Sequence, residues 1–241
     1  MNLSLKRSFK LLALFFIPSA IIMSVYILLA KPIMLTGYPN IVAFSIAVLL
    51  TFFPVFIGIM LIVSKRELGH YSIKEMIKYK QPLKLSQYFW LVTVLLLWAA
   101  GIFTALRGLD EWIKSSFFSW FPSELAFSAD YSMYDKPQLL VIFIAIILVL
   151  GLIGPIVEEI YFRGFLLPRM EWMGWGAPIV HALLFSLYHV WSPWQFITRF
   201  IAILPFCIVS YKTKNIKVVI IMHCLLNIFG DGAVVLFLLL K

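Results

Sequence analysis

Charge is scarce in this chain. Asp, Glu, Lys and Arg make up 13% of 241 residues, against 63% hydrophobic residues and a mean hydropathy of +0.99. Soluble domains carry roughly 45–50% apolar residues, so a soluble globular domain is excluded in favour of a polytopic membrane protein, all-α in class. Cysteine is nearly absent. Cys207 and Cys224 both sit inside apolar runs, which excludes a disulfide framework and reads as two packed thiols. No His-Glu-x-x-His occurs, and no internal repeat, low-complexity tract or linker interrupts the chain. One integral membrane domain over 1–241 is therefore expected, with its chemistry-bearing core at about 138–230. A net charge of +9 would suggest a nucleic-acid partner in a soluble protein. Here the basic residues lie in loops, where they set topology and meet anionic lipid headgroups; no nucleic acid is implied.

Crossing the hydrocarbon takes about 20 apolar residues at ~1.5 Å per residue. Candidate runs are 11–30, 41–63, 88–106, 138–167, 175–191, 194–210 and 218–240. The last is interrupted by Gly230-Asp231-Gly232, which allows either one span or a span and a short eighth helix. A bundle of seven to eight transmembrane helices is the expectation. The run after Lys6, Arg7 and Lys10 is too long for a signal-peptide core and lacks a small-x-small site; it reads as the first span. The run at 138–167 exceeds what a perpendicular span needs and predicts tilt or projection beyond the bilayer.

Loop charges predict orientation. Lys and Arg number three in 1–10, six in 64–87 and three in 211–217, but one in 31–40; 107–137 holds three against five acids. The positive-inside rule places the N-terminus and the 64–87 loop in the cytoplasm, with the cell membrane as location. Residues 70–84 read either as a short basic amphipathic helix on the inner leaflet or as a solvated loop. The aromatic residues at 107–128 read as a belt at the outer interface.

Against this background the stretch Gly154-Pro-Ile-Val-Glu158-Glu159-Ile-Tyr-Phe-Arg163-Gly164 stands out. It continues an uncharged apolar run, and each charge at a helix centre costs roughly 2.5–3.5 kcal/mol on insertion scales. Glu159 and Arg163, four apart, pair on their own helix, while Glu158, about 100° away, faces elsewhere. Candidate partners lie on other spans: His181 and His189, then His223 and Asn227 one turn apart. Counting depth from the cytoplasmic ends puts Glu158, His223 and Asn227 at ~14, ~9 and ~15 Å, with His189 deeper, at ~21 Å. One pocket in the inner half of the bilayer can collect them. A carboxylate and a neutral imidazole can share and activate water, and a second imidazole and an amide can donate to the oxyanion that forms at an attacked carbonyl. Such a set hydrolyses a peptide bond without a Ser or Cys nucleophile. His181 reads as a satisfied interhelical donor, and Asp231, near the face of Asn227, as either a supporting group or a polar break.

These residues resemble the three motifs of the CPBP family of intramembrane proteases, also called the Abi or CAAX-protease family. Glu-Glu-x-x-x-Arg stands as Glu158-Glu159-Ile-Tyr-Phe-Arg163, Phe-x-x-x-His as Phe185-Ser-Leu-Tyr-His189, and His-x-x-x-Asn as His223-Cys-Leu-Leu-Asn227. The resemblance covers roughly 138–230. It implies a bundle of about eight spans with the site opening to the cytoplasm. It also implies that Glu158 and His189 activate water while His223 and Asn227 donate to the oxyanion; Glu159 and Arg163 support them. Members trim prenylated CAAX proteins, process peptides or confer bacteriocin immunity. A peptide or lipidated-protein substrate and membrane lipids are thus the expected partners. The chain departs from the pattern at Trp191-Ser-Pro-Trp194-Gln-Phe-Ile-Thr-Arg199, where small residues are more usual.

Three alternatives stand beside peptide hydrolysis. Glu158, His189 and His223 have the composition of a catalytic zinc site, although Asn227 suits an oxyanion better than a metal. A non-catalytic immunity or scaffold protein would carry the same motifs. A proton-coupled transporter would show an inverted repeat with broken helices, and none is visible.

Overall fold

A computed structural model describes residues 3–127 and 130–241, without the side chains of 3–8 and 231. Among them the regular elements are all helical, and the one β-type contact is an isolated bridge between Lys80 and Asn215. The elements are α1 (Leu3–Leu35), α2 (Asn40–Leu68), the short α3 (Ile73–Met76), α4 (Leu85–Ala105), α5 (Arg107–Phe117), α6 (Lys136–Met173), α7 (Gly176–Tyr188), α8 (Phe196–Thr213), α9 (Lys217–Gly230) and α10 (Ala233–Leu239). Among the described residues, five helical stretches are long and apolar enough to cross a membrane: 9–35 within α1, α2, α4, α6 and 193–213 around α8. The pair α9–α10, bent by 42°, makes a sixth if it is one span.

Length alone thus supports five or six crossings where the hydropathy pattern predicts seven to eight. The difference lies mainly in the run at 175–191. It folds as a helix of 13 residues, ~20 Å long, against a ~30 Å hydrocarbon core. The chain leaves helical geometry at His189 (φ −80°, ψ 60°), turns through 190–195, and returns as α8, packed along α7.

α6 is the long central element. Asp135 and Gln138 start it with a reciprocal capping box, Asp135 Oδ1 accepting from the Gln138 N–H at 2.8 Å and Gln138 Oε1 from the Asp135 N–H at 3.1 Å. Within it, Ala145–Ile153 and Ile160–Leu166 are π-helical and bracket an α-helical Gly154–Glu159; such widened turns recur at functional sites. α1 and α2 pack together, α6 contacts α2 and α9, and α4 packs against α8 and α9. α4 exposes Phe89, Trp90 and Leu97 outward, as a helix facing lipid does. The basic loops gather at one end: Arg169 Nη2 meets Glu67 Oε2 at 2.8 Å and Lys214 Nζ meets Glu171 Oε1 at 2.5 Å.

Residues 70–84 resolve in favour of a strap, with one short turn at Ile73–Met76 and extended chain beyond. The strap lies on α6 at Gly164, where the Lys78 N–H donates to the Gly164 carbonyl at 3.1 Å. A Cβ on Gly164 would stand 3.1 Å from Ile77 Cγ2 and 3.3 Å from Ile216 Cδ1, so a side chain here would push the strap away. At the opposite end α5 is helical, with Trp112 and Phe117 exposed. Its Asp110 is buried and accepts from Thr198 Oγ1 at 2.5 Å, and burial pushes the Asp110 carboxyl up from the ordinary aspartate range.

Candidate active site

A cavity of about 790 Å³ runs between α2, α4, α6, α8 and α9, and Glu158, Glu159, Arg163, Phe185, His189, His223 and Asn227 all line it. Every residue of the three sequence motifs that was expected to act or support is therefore at one place. Glu158 and Glu159 are supplied by the α-helical segment between the two π-helical stretches, His189 by the end of α7, and His223 and Asn227 by successive turns of α9.

Arg163 is fully buried and holds Glu159 Oε1 through Nη1 at 3.1 Å. Its guanidinium carbon stands 3.8 Å from the centre of the Phe185 ring, a cation–π contact strengthened by the absence of water. Its Nη2 reaches Cys207 Sγ at 3.9 Å, and that thiol lies 3.5 Å from His181 Nδ1. His181 closes the chain by donating from Nε2 to the Phe162 carbonyl at 2.9 Å. His181 thus points away from the motif residues into the protein's packing, and both cysteines are free and buried.

Glu159 Oε1 has a second partner, His223 Nδ1 at 2.8 Å. A carboxylate can only accept, so Nδ1 carries the proton and the neutral ring presents Nε2 as a lone pair. The same logic fixes His189, whose Nδ1 donates to the Phe185 carbonyl at 2.8 Å and whose Nε2 is left as the acceptor. Phe185 has two tasks: its carbonyl sets the His189 tautomer, and its ring lies between Arg163 and His189, 4.7 Å from the latter. Asn227 spends one amide N–H on the Leu150 carbonyl at 2.8 Å, within the first π-helical stretch, and retains the second.

Glu158 is 6% exposed and shares the cavity wall with Glu159, Arg163 and His223. Tyr188 is its buried neighbour, with a hydroxyl that closes no hydrogen bond within 3.5 Å among the described residues. Glu159 Oε2 and Arg163 Nε are likewise buried without a protein partner among them.

Residues 139–229 match the family model of the type II CAAX prenyl endopeptidases, Rce1-like. That stretch is similar to this protease family, as the three motifs suggest. Neither curated proteins nor solved structures give a match. The matched residues start near the capping box of α6 and end at Phe229, so they hold all the cavity's motif side chains, while α2 and α4 complete its walls.

Among the described residues no group of three His, Cys, Asp or Glu side chains is placed to hold a metal ion. Both rings spend Nδ1–H on a protein acceptor and leave Nε2 as a lone pair. Asp231 lies outside the described side chains. Two contributors escaped the motif reading. Tyr188 has no signal in sequence beyond adjacency to His189. Arg199 did stand out there, but its surroundings, Ser192 and Gln195 on the cavity wall, come only from the turn between α7 and α8.

Proposed function

We propose that this chain is an intramembrane endopeptidase that hydrolyses a peptide bond of a prenylated CAAX-like or other membrane-associated peptide with water activated by Glu158 and His189. The observation that carries it is the convergence of Glu158, His189, His223 and Asn227 on one buried cavity. Water hydrogen-bonded between the Glu158 carboxylate and His189 Nε2 gives up a proton to the carboxylate as its oxygen bonds to the scissile carbonyl carbon. The carbonyl oxygen becomes the oxyanion, met by the free N–H of Asn227. His223 donates there only when doubly protonated, a state in which Nδ1–H faces Glu159 and Nε2–H faces the cavity. As the C–N bond breaks, the proton passes from Glu158 to the leaving amine.

The cavity's wall supports a substrate from the membrane. Leu97 of α4 and Phe229 of α9 line it and are 68% and 62% exposed, so its mouth opens between two outward-facing helices. Lateral entry of an apolar anchor follows. We read all seven apolar segments as membrane-embedded in the cell membrane, with the N-terminus and the basic end cytoplasmic. The shared placement of 64–87, 163–175 and 211–217 at one end supports this.

The test is incubation of purified protein in lipid vesicles with prenylated peptides, products being identified by mass spectrometry for wild type and Glu158→Gln. Cleavage by wild type alone is expected. An immunity or scaffold role would instead leave function intact in both Glu158→Ala and His223→Ala.

A further inference from the structure

The cavity reaches the ends of the helices that are remote from the basic loops. α2 ends and α4 begins at the basic loop 64–87. Yet α2 lines the cavity from its first turns, with Ile41 and Phe44, and α4 from its last, with Phe103 and Thr104. Toward the basic end the lining stops early. On α9, which leaves the basic segment 211–217, it begins at His223, ~9 Å along the helix. On α8, which enters that segment, it stops at Phe206, ~10 Å short. On α6 it stops at Arg163, ~15 Å before Met173. Among the described residues none of 64–87, 164–184 or 207–222 lines it.

Between the motif residues and the basic loops the packing is closed. Phe165, Leu166, Val218, Val219 and Met222 are fully buried there, and Met76 and Tyr79 of the strap are buried in the same hydrophobic cluster. Backbone bonds fasten the strap across this end: Lys78 N–H to the Gly164 carbonyl at 3.1 Å, Ile216 N–H to the Tyr79 carbonyl at 3.2 Å and Gln81 N–H to the Lys214 carbonyl at 2.8 Å. The other direction is open and partly polar. Ser192, Gln195, Arg199 and Thr104 stand along that wall, and Ala100 and Thr104 are exposed. Hydrolysis needs water at Glu158. Water enters where polar groups receive it, and close-packed apolar side chains exclude it.

We propose that the site is served from the outer side of the membrane, so that its substrates are apolar peptide segments presented on the non-cytoplasmic side. Water and peptide enter by the open end of the cavity, and both products leave by it, while the strap and the packing beneath it seal the cytoplasmic end. This reverses the cytoplasmic opening that the family resemblance implies. It rests on the endopeptidase reading for the reaction and on the cytoplasmic placement of the basic end, but access is measurable without turnover.

Full-length Leu150→Cys and Ile203→Cys, both on the cavity wall, and Lys74→Cys, exposed on the strap, are treated with a small charged methanethiosulfonate that does not cross membranes. Wild type, whose Cys207 and Cys224 are buried, gives the background. In intact cells the two cavity cysteines should be modified and Lys74→Cys left untouched; in inverted membrane vesicles the pattern should reverse. Modification of the cavity cysteines only in inverted vesicles, in both preparations or in neither overturns the proposal. So does reaction of Lys74→Cys in intact cells, which would put the basic end outside. Should neither cavity variant fold, wild type decides. Prenylated peptides added to the two preparations should give products absent from Glu158→Gln only with intact cells, and such products only from inverted vesicles overturn the proposal. One-sided labelling without such products in either preparation would sink the endopeptidase reading and leave the direction of access in place.

Discussion

Glu159 and His223, 64 positions apart in sequence, meet at 2.8 Å between carboxylate Oε1 and ring Nδ1, with the Arg163 guanidinium 3.1 Å from the same oxygen. Of the two adjacent carboxylates, Glu159 is thus occupied by structural partners on two helices, and Glu158 remains directed to the cavity. The Glu-Glu pair divides into a group that positions and a group that is available for chemistry.

Substitution at Glu158 tests that division most directly. Glu158→Gln keeps the shape and removes the base, so peptide cleavage should fall by ~10²–10⁴-fold with thermal unfolding in detergent little changed. Retention of more than a tenth of wild-type kcat would exclude Glu158 as the base.

His189 should respond to which nitrogen is kept. Glutamine and asparagine cannot reproduce both an Nδ1–H on the Phe185 carbonyl and an acceptor at Nε2. His189→Gln and His189→Asn should each lose ~10²-fold or more in kcat, with peptide binding to the cavity retained. A variant with unaltered kcat would remove His189 from the reaction.

The Arg163–Glu159 pair separates stability from activity. Removing one partner of a buried pair leaves an unpaired charge and costs about 3–5 kcal/mol, so Arg163→Met should unfold well below wild type. Glu159→Gln/Arg163→Met, with both charges gone, should recover much of that stability. Its activity should remain low, because His223 has lost the carboxylate that orients it. Recovery of both together would make the pair purely structural.

Gly164 reports on the strap. Gly164→Val puts a branched side chain where Ile77 Cγ2 and Ile216 Cδ1 already sit 3.1 and 3.3 Å from a Cβ. Overpacking of this kind costs about 1–3 kcal/mol, and Gly164→Ala should cost less. Limited proteolysis of 70–84 should rise in the valine variant; an unchanged cleavage pattern would mean the strap does not depend on this contact.

A metal-free reaction predicts that phenanthroline treatment leaves cleavage intact at concentrations that strip zinc enzymes. Loss of activity restored by added zinc would overturn it.

Much of this was legible in one dimension because its causes are local. The lack of charge dictates helices in lipid, since a backbone away from water must satisfy its own hydrogen bonds. Four-residue spacing alone suffices to pair Glu159 with Arg163 and to bring His223 and Asn227 to one face. Periodicity could not show that the helix of 176–188 stops at His189, because apolar residues continue past the turn and hydropathy does not register a backbone reversal. Nor could it show that Glu159 bonds to His223, that Phe185 serves two neighbours, or that Arg199 is held by Ser192 and Gln195. Those are distances between helices, decided by how the π-helical turns of α6 set its phase and by which side chains fill the space around it.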